Sequence, residues 1–214
     1  MKYWVFSILT AAIAYFFGSL STELIASRLI FHRNLRKLGR GERFLPNFKR
    51  VYGVKGFAQL ALVEFVKDAI PVLIGGLLFS GGENAVVGRA LAAFCVVLGR
   101  MYPLIYDFRG SFASAAIAFC TMFVSFSAGL AVLLLTVAVA WATRYLALGT
   151  LAGAVALVVA SILAVDNGLA MRLCIFIGVL VLIRVIPSIS RISAKKEPKL
   201  SFREDISYKF DEKF

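Results

Sequence analysis

The sequence predicts an all-α, polytopic integral membrane protein with about seven transmembrane helices, some of them short. Three observations carry this. Sixty per cent of the 214 residues are apolar and only 17% are charged, against ~45–50% and ~25% in a soluble domain. The apolar residues gather into runs of spanning length, and the mean hydropathy is +0.85. The basic residues gather between those runs. This composition excludes a disordered chain, a coiled coil and an ordinary soluble enzyme. Lipid permits helices or closed barrels, and the runs are too long for barrel strands.

The first apolar run covers about 4–30. Ala12-Ile13-Ala14 has the look of a cleavage site, but apolarity resumes at Phe16-Phe17, so a retained first helix is expected. The second run, about 57–79, has Glu64, Lys67, Asp68 and Pro71 embedded in it. A third covers about 85–107. The stretch 111–142 is one apolar run that would extend about 48 Å as a straight helix, well beyond a hydrocarbon core of ~30 Å. Ser125, Ser127 and Gly129 interrupt it. Two short helices, about 111–126 and 128–142, are expected, or a re-entrant pair. Runs at about 148–165 and 169–187 complete the set.

Charge sets the orientation. The segment Arg28 to Lys55 holds nine Lys or Arg and one acid, Glu42, and seven Lys or Arg follow Pro187. Arg109 and Arg144 mark two further short loops. With seven spans and the N-terminus outside, all four regions share the cytoplasmic face. The membrane domain is expected over 1–187, with a basic cytoplasmic tail over 188–214. The formal charge of +12 would suggest nucleic acid in a soluble protein. In this chain it points to an anionic phospholipid membrane as partner, and nucleic acid is not expected.

Three cysteines and a single histidine, His32, with no CxxC, support neither a disulfide framework nor a metal cage. No cofactor or metal is expected. The candidate chemistry is anionic recognition. Glu64, Lys67 and Asp68 are spaced to share one helix face, either as a polar site or as a structural ion pair. The first loop carries Arg36, Arg40, Arg43, Lys49, Arg50 and Lys55, with Gly39, Gly41 and Gly53 among them. Arginine forks grip phosphate, and glycines let backbone N–H groups approach it. The same charges also serve as a plain positive-inside signal. Arg100 and Arg144 lie at the ends of apolar runs and are expected to face inward or the interface.

These residues resemble a family. Ala14-Tyr15-Phe16-Phe17-Gly18-Ser19-Leu20 is similar to AYLLGSIP in the bacterial acyl-phosphate-dependent glycerol-3-phosphate acyltransferases. Arg36, Gly39, Gly41, Asn47, Arg50 and Gly53 match that family's first-loop motif in unbroken register. Glu64 and Lys67 resemble its DxxKG, and Gly99-Arg100-Met101-Tyr102-Pro103 its GHxFP. Thr143-Arg144-Tyr145-Leu146 resembles its SRYV. The resemblance runs from about residue 14 to about 200. It implies a seven-span enzyme of a bacterial inner membrane that moves a fatty acyl group from acyl phosphate to the 1-hydroxyl of glycerol 3-phosphate, giving lysophosphatidate for phospholipid biosynthesis. It also implies a substrate- or phosphate-binding set of Arg36, Gly39, Gly41, Asn47, Arg50, Lys67, Arg100 and Arg144.

The motif cores depart from the family. Its first-loop serine is Arg40, its GHxFP histidine is Arg100, and its GGKG stretch is Gly110-Ser111-Phe112-Ala113. Arginine stays protonated and is no general base, so no catalytic residue is named. An inactive relative that binds anionic lipid or a partner enzyme, and a small transporter, stand as alternatives.

Overall fold

In a computed structural model of the protein, the described residues are 2–29, 45–80, 83–106, 108, 110 and 113–194. They form α1 (Lys2–Ser19), α2 (Thr22–Leu29), α3 (Leu45–Leu78), α4 (Glu83–Met101), α5 (Ser114–Val124), α6 (Phe126–Thr143), α7 (Leu146–Ala164) and α8 (Gly168–Ser193). A 3-10 turn, Leu104–Tyr106, follows α4. Helices α4, α6, α7 and α8 are long and apolar enough to cross a membrane. Helix α3 has the length as well, but buries Glu64 and Asp68 in its middle.

Side-chain contacts fix the direction of each helix. Tyr15 near the end of α1 donates its hydroxyl to the Tyr102 carbonyl just past α4, at 2.6 Å, so α1 and α4 run parallel. Gly75 of α3 faces Gly88 of α4, while Glu64 pairs with Arg100; α3 is therefore antiparallel to α4. Gly110, ahead of α5, abuts the Arg100 and Met101 carbonyls, and Arg89 caps the Phe123 carbonyl at its other end, at 3.3 Å. Helix α5 thus descends from the Arg100 end of the bundle to the Arg89 end. There Ser125 Oγ donates to the Ala164 carbonyl at the end of α7, at 3.0 Å. Helices α6, α7 and α8 then alternate. The chain passes along the bundle seven times, and the 111–142 run makes two of those passes.

Four boundaries differ from the sequence expectation. The long run divides at Ser125 into helices of 11 and 18 residues. Ser125 has extended backbone, φ −146° and ψ 118°, and its hydroxyl donates to α7 while meeting the Ser127 hydroxyl of α6, 3.2 Å away. The first run is two helices, not one, broken at Leu20–Ser21. Helix α3 begins at Leu45, ahead of the apolar run, and bends at Gly53, whose φ of 71° is a left-handed value that suits glycine. Helix α8 continues through Pro187 to Ser193, and the tail beyond 194 lies outside the described residues.

Packing follows the logic of lipid, where large apolar side chains gain nothing by turning inward. The buried positions of α7 include Ala147, Thr150, Ala154, Leu157 and Ser161, spaced by three or four. Those of α8 include Ala170, Cys174, Ile177, Val181, Val185 and Ser188 in the same rhythm. Leu163 and Trp141 point outward, 80% and 67% exposed. The three cysteines are buried and free, as expected of small fillers. Two buried hydroxyls of α7 return to their own helix: Thr150 to the Leu146 carbonyl at 2.8 Å and Ser161 to that of Leu157 at 2.6 Å.

Candidate functional site

The site is built at the Arg100 end, where α1 and α4 come close enough for charged side chains to meet. A Cβ at Gly99 would collide with the Tyr15 carbonyl, and one at Gly18 with that of Val96. Only glycines allow this approach. It carries the end of α1 and the start of α2 against Arg100, the penultimate residue of α4.

The break at Leu20–Ser21 then does local work. A continuous helix would use the Leu20 carbonyl for its own ladder. With the chain turned at Ser21, that carbonyl is free and accepts Lys67 Nζ from α3, at 3.2 Å. Helix α2 restarts on the Ser21 carbonyl, which accepts the Ile25 N–H at 3.1 Å. The Ser21 hydroxyl donates to Glu23 Oε2 at 3.0 Å, which sets the rotamer of that carboxylate.

Five charged groups converge. Arg100 donates Nη1 to Glu64 Oε2, and its Nη2 lies 3.5 Å from Glu23 Oε1. Lys67 Nζ lies 3.6 Å from Glu64 Oε2 and 3.4 Å from Asp68 Oδ1. Glu23, Glu64, Asp68 and Arg100 are all buried, at 2%, 0%, 0% and 4% exposure. Ionised groups inside a membrane protein persist only when paired or facing a polar cavity. Here the pairing is uneven: three carboxylates face two cations. Both Asp68 oxygens, Glu64 Oε1 and Arg100 Nε have no hydrogen-bond partner among the described residues. Pro71 adds one more acceptor, since it has no N–H for the Lys67 carbonyl one turn back.

The cluster can hold a guanidinium and an ammonium at fixed positions in a low-dielectric setting, and can exchange carboxylate contacts for those of an incoming anion. Among the described residues it has no imidazole, and its arginine is no proton acceptor.

Of the residues singled out in the sequence, Lys67 and Arg100 are brought together. Asn47 and Arg50 are backbone positions in the first turns of α3. Arg36, Gly39 and Gly41 lie outside the described residues. Arg144 stands apart: it is exposed, with φ 60°, as the left-handed cap between α6 and α7. Glu23 was not singled out. Its signal was available, as the sole acid in the 4–30 run, directly after Ser21-Thr22.

Comparison with known proteins gives the family and the fold. The family model for glycerol-3-phosphate acyltransferase matches residues 8–195. A glycerol-3-phosphate acyltransferase of Thermoanaerobacter sp. (strain X514) is 28% identical over 202 residues, covering 94% of this chain and 100% of the relative. One from Bacillus cytotoxicus is 30% identical over 193 residues, covering 89% and 93%. The crystal structure of PlsY (YgiH), an integral membrane glycerol 3-phosphate acyltransferase, in its glycerol 3-phosphate form, superposes with a TM-score of 0.76 at 23% identity. That match covers 91% of this chain and 96% of the other, and it shows a shared fold.

Proposed function

The chain belongs to the glycerol-3-phosphate acyltransferase family, and from that membership we propose the reaction it performs and the residues that serve it. It is a multi-pass membrane acyltransferase that acylates glycerol 3-phosphate for phospholipid synthesis, in a bacterial inner membrane. The donor is an acyl phosphate, the acceptor is the 1-hydroxyl, and the product is lysophosphatidate. The site faces the cytoplasm, with the N-terminus outside: in the sequence, basic segments adjoin the helices that end beside Arg100, and such segments favour the cytoplasmic side. Those segments also favour anionic phospholipid headgroups around the site.

The observation that carries the reading is Lys67. Its ammonium is held at the Leu20 carbonyl, 3.2 Å away, at the end of the bundle where the basic 30–44 segment joins α2 to α3. A cation so placed stabilises the phosphate that leaves when the acyl carbonyl is attacked. The hydroxyl oxygen bonds to the acyl carbon, the bond from that carbon to the phosphate oxygen breaks, and the departing phosphate takes the hydroxyl proton. Acyl phosphate is already activated, so this route needs no protein base. It suits a site in which Arg100 replaces an imidazole.

Arg50, Asn47, Arg36 and the Gly39 and Gly41 backbone make up the loop side of the phosphate cradle. Arg100 reaches an anion only along the edge that Glu64 does not occupy, and its larger part is to hold Glu23 and Glu64 in place. Arg144, at the same end, meets lipid phosphate rather than the reacting groups.

The test is direct. Purified protein in detergent is given acyl phosphate and labelled glycerol 3-phosphate, and labelled lysophosphatidate is measured. The expected result is product from the native chain, and a rate about tenfold to a thousandfold lower for Lys67→Ala. Folded native protein that yields no product overturns the reading.

A further inference from the structure

At the Arg100 end the described cations are not equally available to a substrate. Arg100 is committed to Glu64 and Glu23, and Lys67 lies between Glu64 and Asp68. A phosphate arriving there meets carboxylates as well as cations. Arg184, on α8, is different. It forms no ion pair with any described carboxylate. Its guanidinium carbon lies over the Tyr102 ring, 5.9 Å from the centroid. Its Nε is buried and has no hydrogen-bond partner among the described residues.

The platform beneath it is fixed. Tyr102 is two residues past Arg100, and its carbonyl takes the Tyr15 hydroxyl at 2.6 Å. A guanidinium resting on an aromatic face is oriented by the ring while its in-plane N–H groups stay unused. Those groups form the fork that grips a phosphate through two parallel hydrogen bonds.

We infer that Arg184 is a further phosphate-binding residue of this site, held ready by Tyr102. The inference rests on the acyltransferase reading above. Its ligand is a phosphate monoester or an acyl phosphate, which present the same oxygens to the fork. Lys67 and Arg100 organise the buried end of the site, and Arg184 supplies a cation with no carboxylate partner among the described residues.

The experiment measures KM for glycerol 3-phosphate and for acyl phosphate separately, on native protein, Arg184→Gln and Arg184→Lys. For Arg184→Gln, KM for one of the two is expected to rise roughly ten- to hundredfold, with kcat within about twofold. The substrate that shifts identifies which phosphate Arg184 holds. Arg184→Lys should recover part of the loss, since it keeps the charge and lacks the fork. Both KM values within twofold of native overturn the inference, as does a fall in kcat alone. If Arg184→Gln does not fold, Tyr102→Leu removes the platform and is expected to raise the same KM by a smaller factor; an unchanged KM overturns it. Native protein without turnover sinks the acyltransferase reading, and Arg184 is then judged by lysophosphatidate binding in detergent. Affinity at least tenfold weaker for Arg184→Gln supports the inference, and equal affinity overturns it.

Discussion

Two regions of this bundle hold their helices together by opposite means. At the Arg100 end, α2, α3 and α4 meet through five charged groups. Along the α6–α7 seam, the same lipid-immersed chain uses almost no chemistry. Gly149 of α7 faces the Thr136 carbonyl, where a Cβ would sit 2.6 Å away, and Gly153 faces the Thr136 hydroxyl. One region is specified by paired charge and the other by absent side chains. The difference separates a working part from a scaffold. Charge pairs can be re-partnered by an anion, whereas a backbone-to-backbone seam has one arrangement and nothing to exchange.

That contrast can be broken from either side. The largest effect is expected at the seam. Gly153→Leu drives a side chain into Thr136 with no space to accept it, and should cost roughly 4–5 kcal/mol or more. The check is loss of a monodisperse, cooperatively melting protein in detergent. A smaller insertion, Gly153→Ala, paired with Thr136→Ala, should recover stability beyond the sum of the two single changes, because the residues touch.

Next comes the charged end. Arg100→Gln leaves Glu64 and Glu23 without their guanidinium, at about 3–5 kcal/mol. The double change Arg100→Gln with Glu64→Gln should be more stable than Arg100→Gln alone, and just as inactive. If the double variant retained activity, the charge at this end would be scaffold after all. Smaller still, Tyr15→Phe removes a single bond to the Tyr102 carbonyl, at about 1 kcal/mol, read as a modest shift in melting temperature. Smallest is Leu163→Ile on the lipid face of α7, where a change within about 0.5 kcal/mol is expected.

The sequence showed the seven crossings because apolar run length is a local property. Ser125, Ser127 and Gly129 flagged the division of the 111–142 stretch, and the structure makes it at Ser125. The motif register pointed to the family, and Lys67 and Arg100 to one end of the bundle. What stayed hidden was non-local. The break at Leu20–Ser21 leaves no compositional trace, since its effect is to release a carbonyl for a lysine on another helix. Glu23 was passed over because its partner lies on α4. Arg184 drew no attention in the sequence, because its neighbour Tyr102 belongs to a different segment. The interruption of α3 at Gly53, by contrast, was visible as a motif glycine, though its left-handed backbone was not.

The Glu64–Arg100 pair also has a history within each molecule. Its two residues are 36 positions apart in the chain. At a synthesis rate of ~5–20 residues per second, the arginine emerges about 2–7 s after its glutamate. During that interval α3 holds two carboxylates with only Lys67 to answer them, a poor candidate for stable residence in lipid. Stable residence of this helix in the bilayer is therefore expected to follow the arrival of α4.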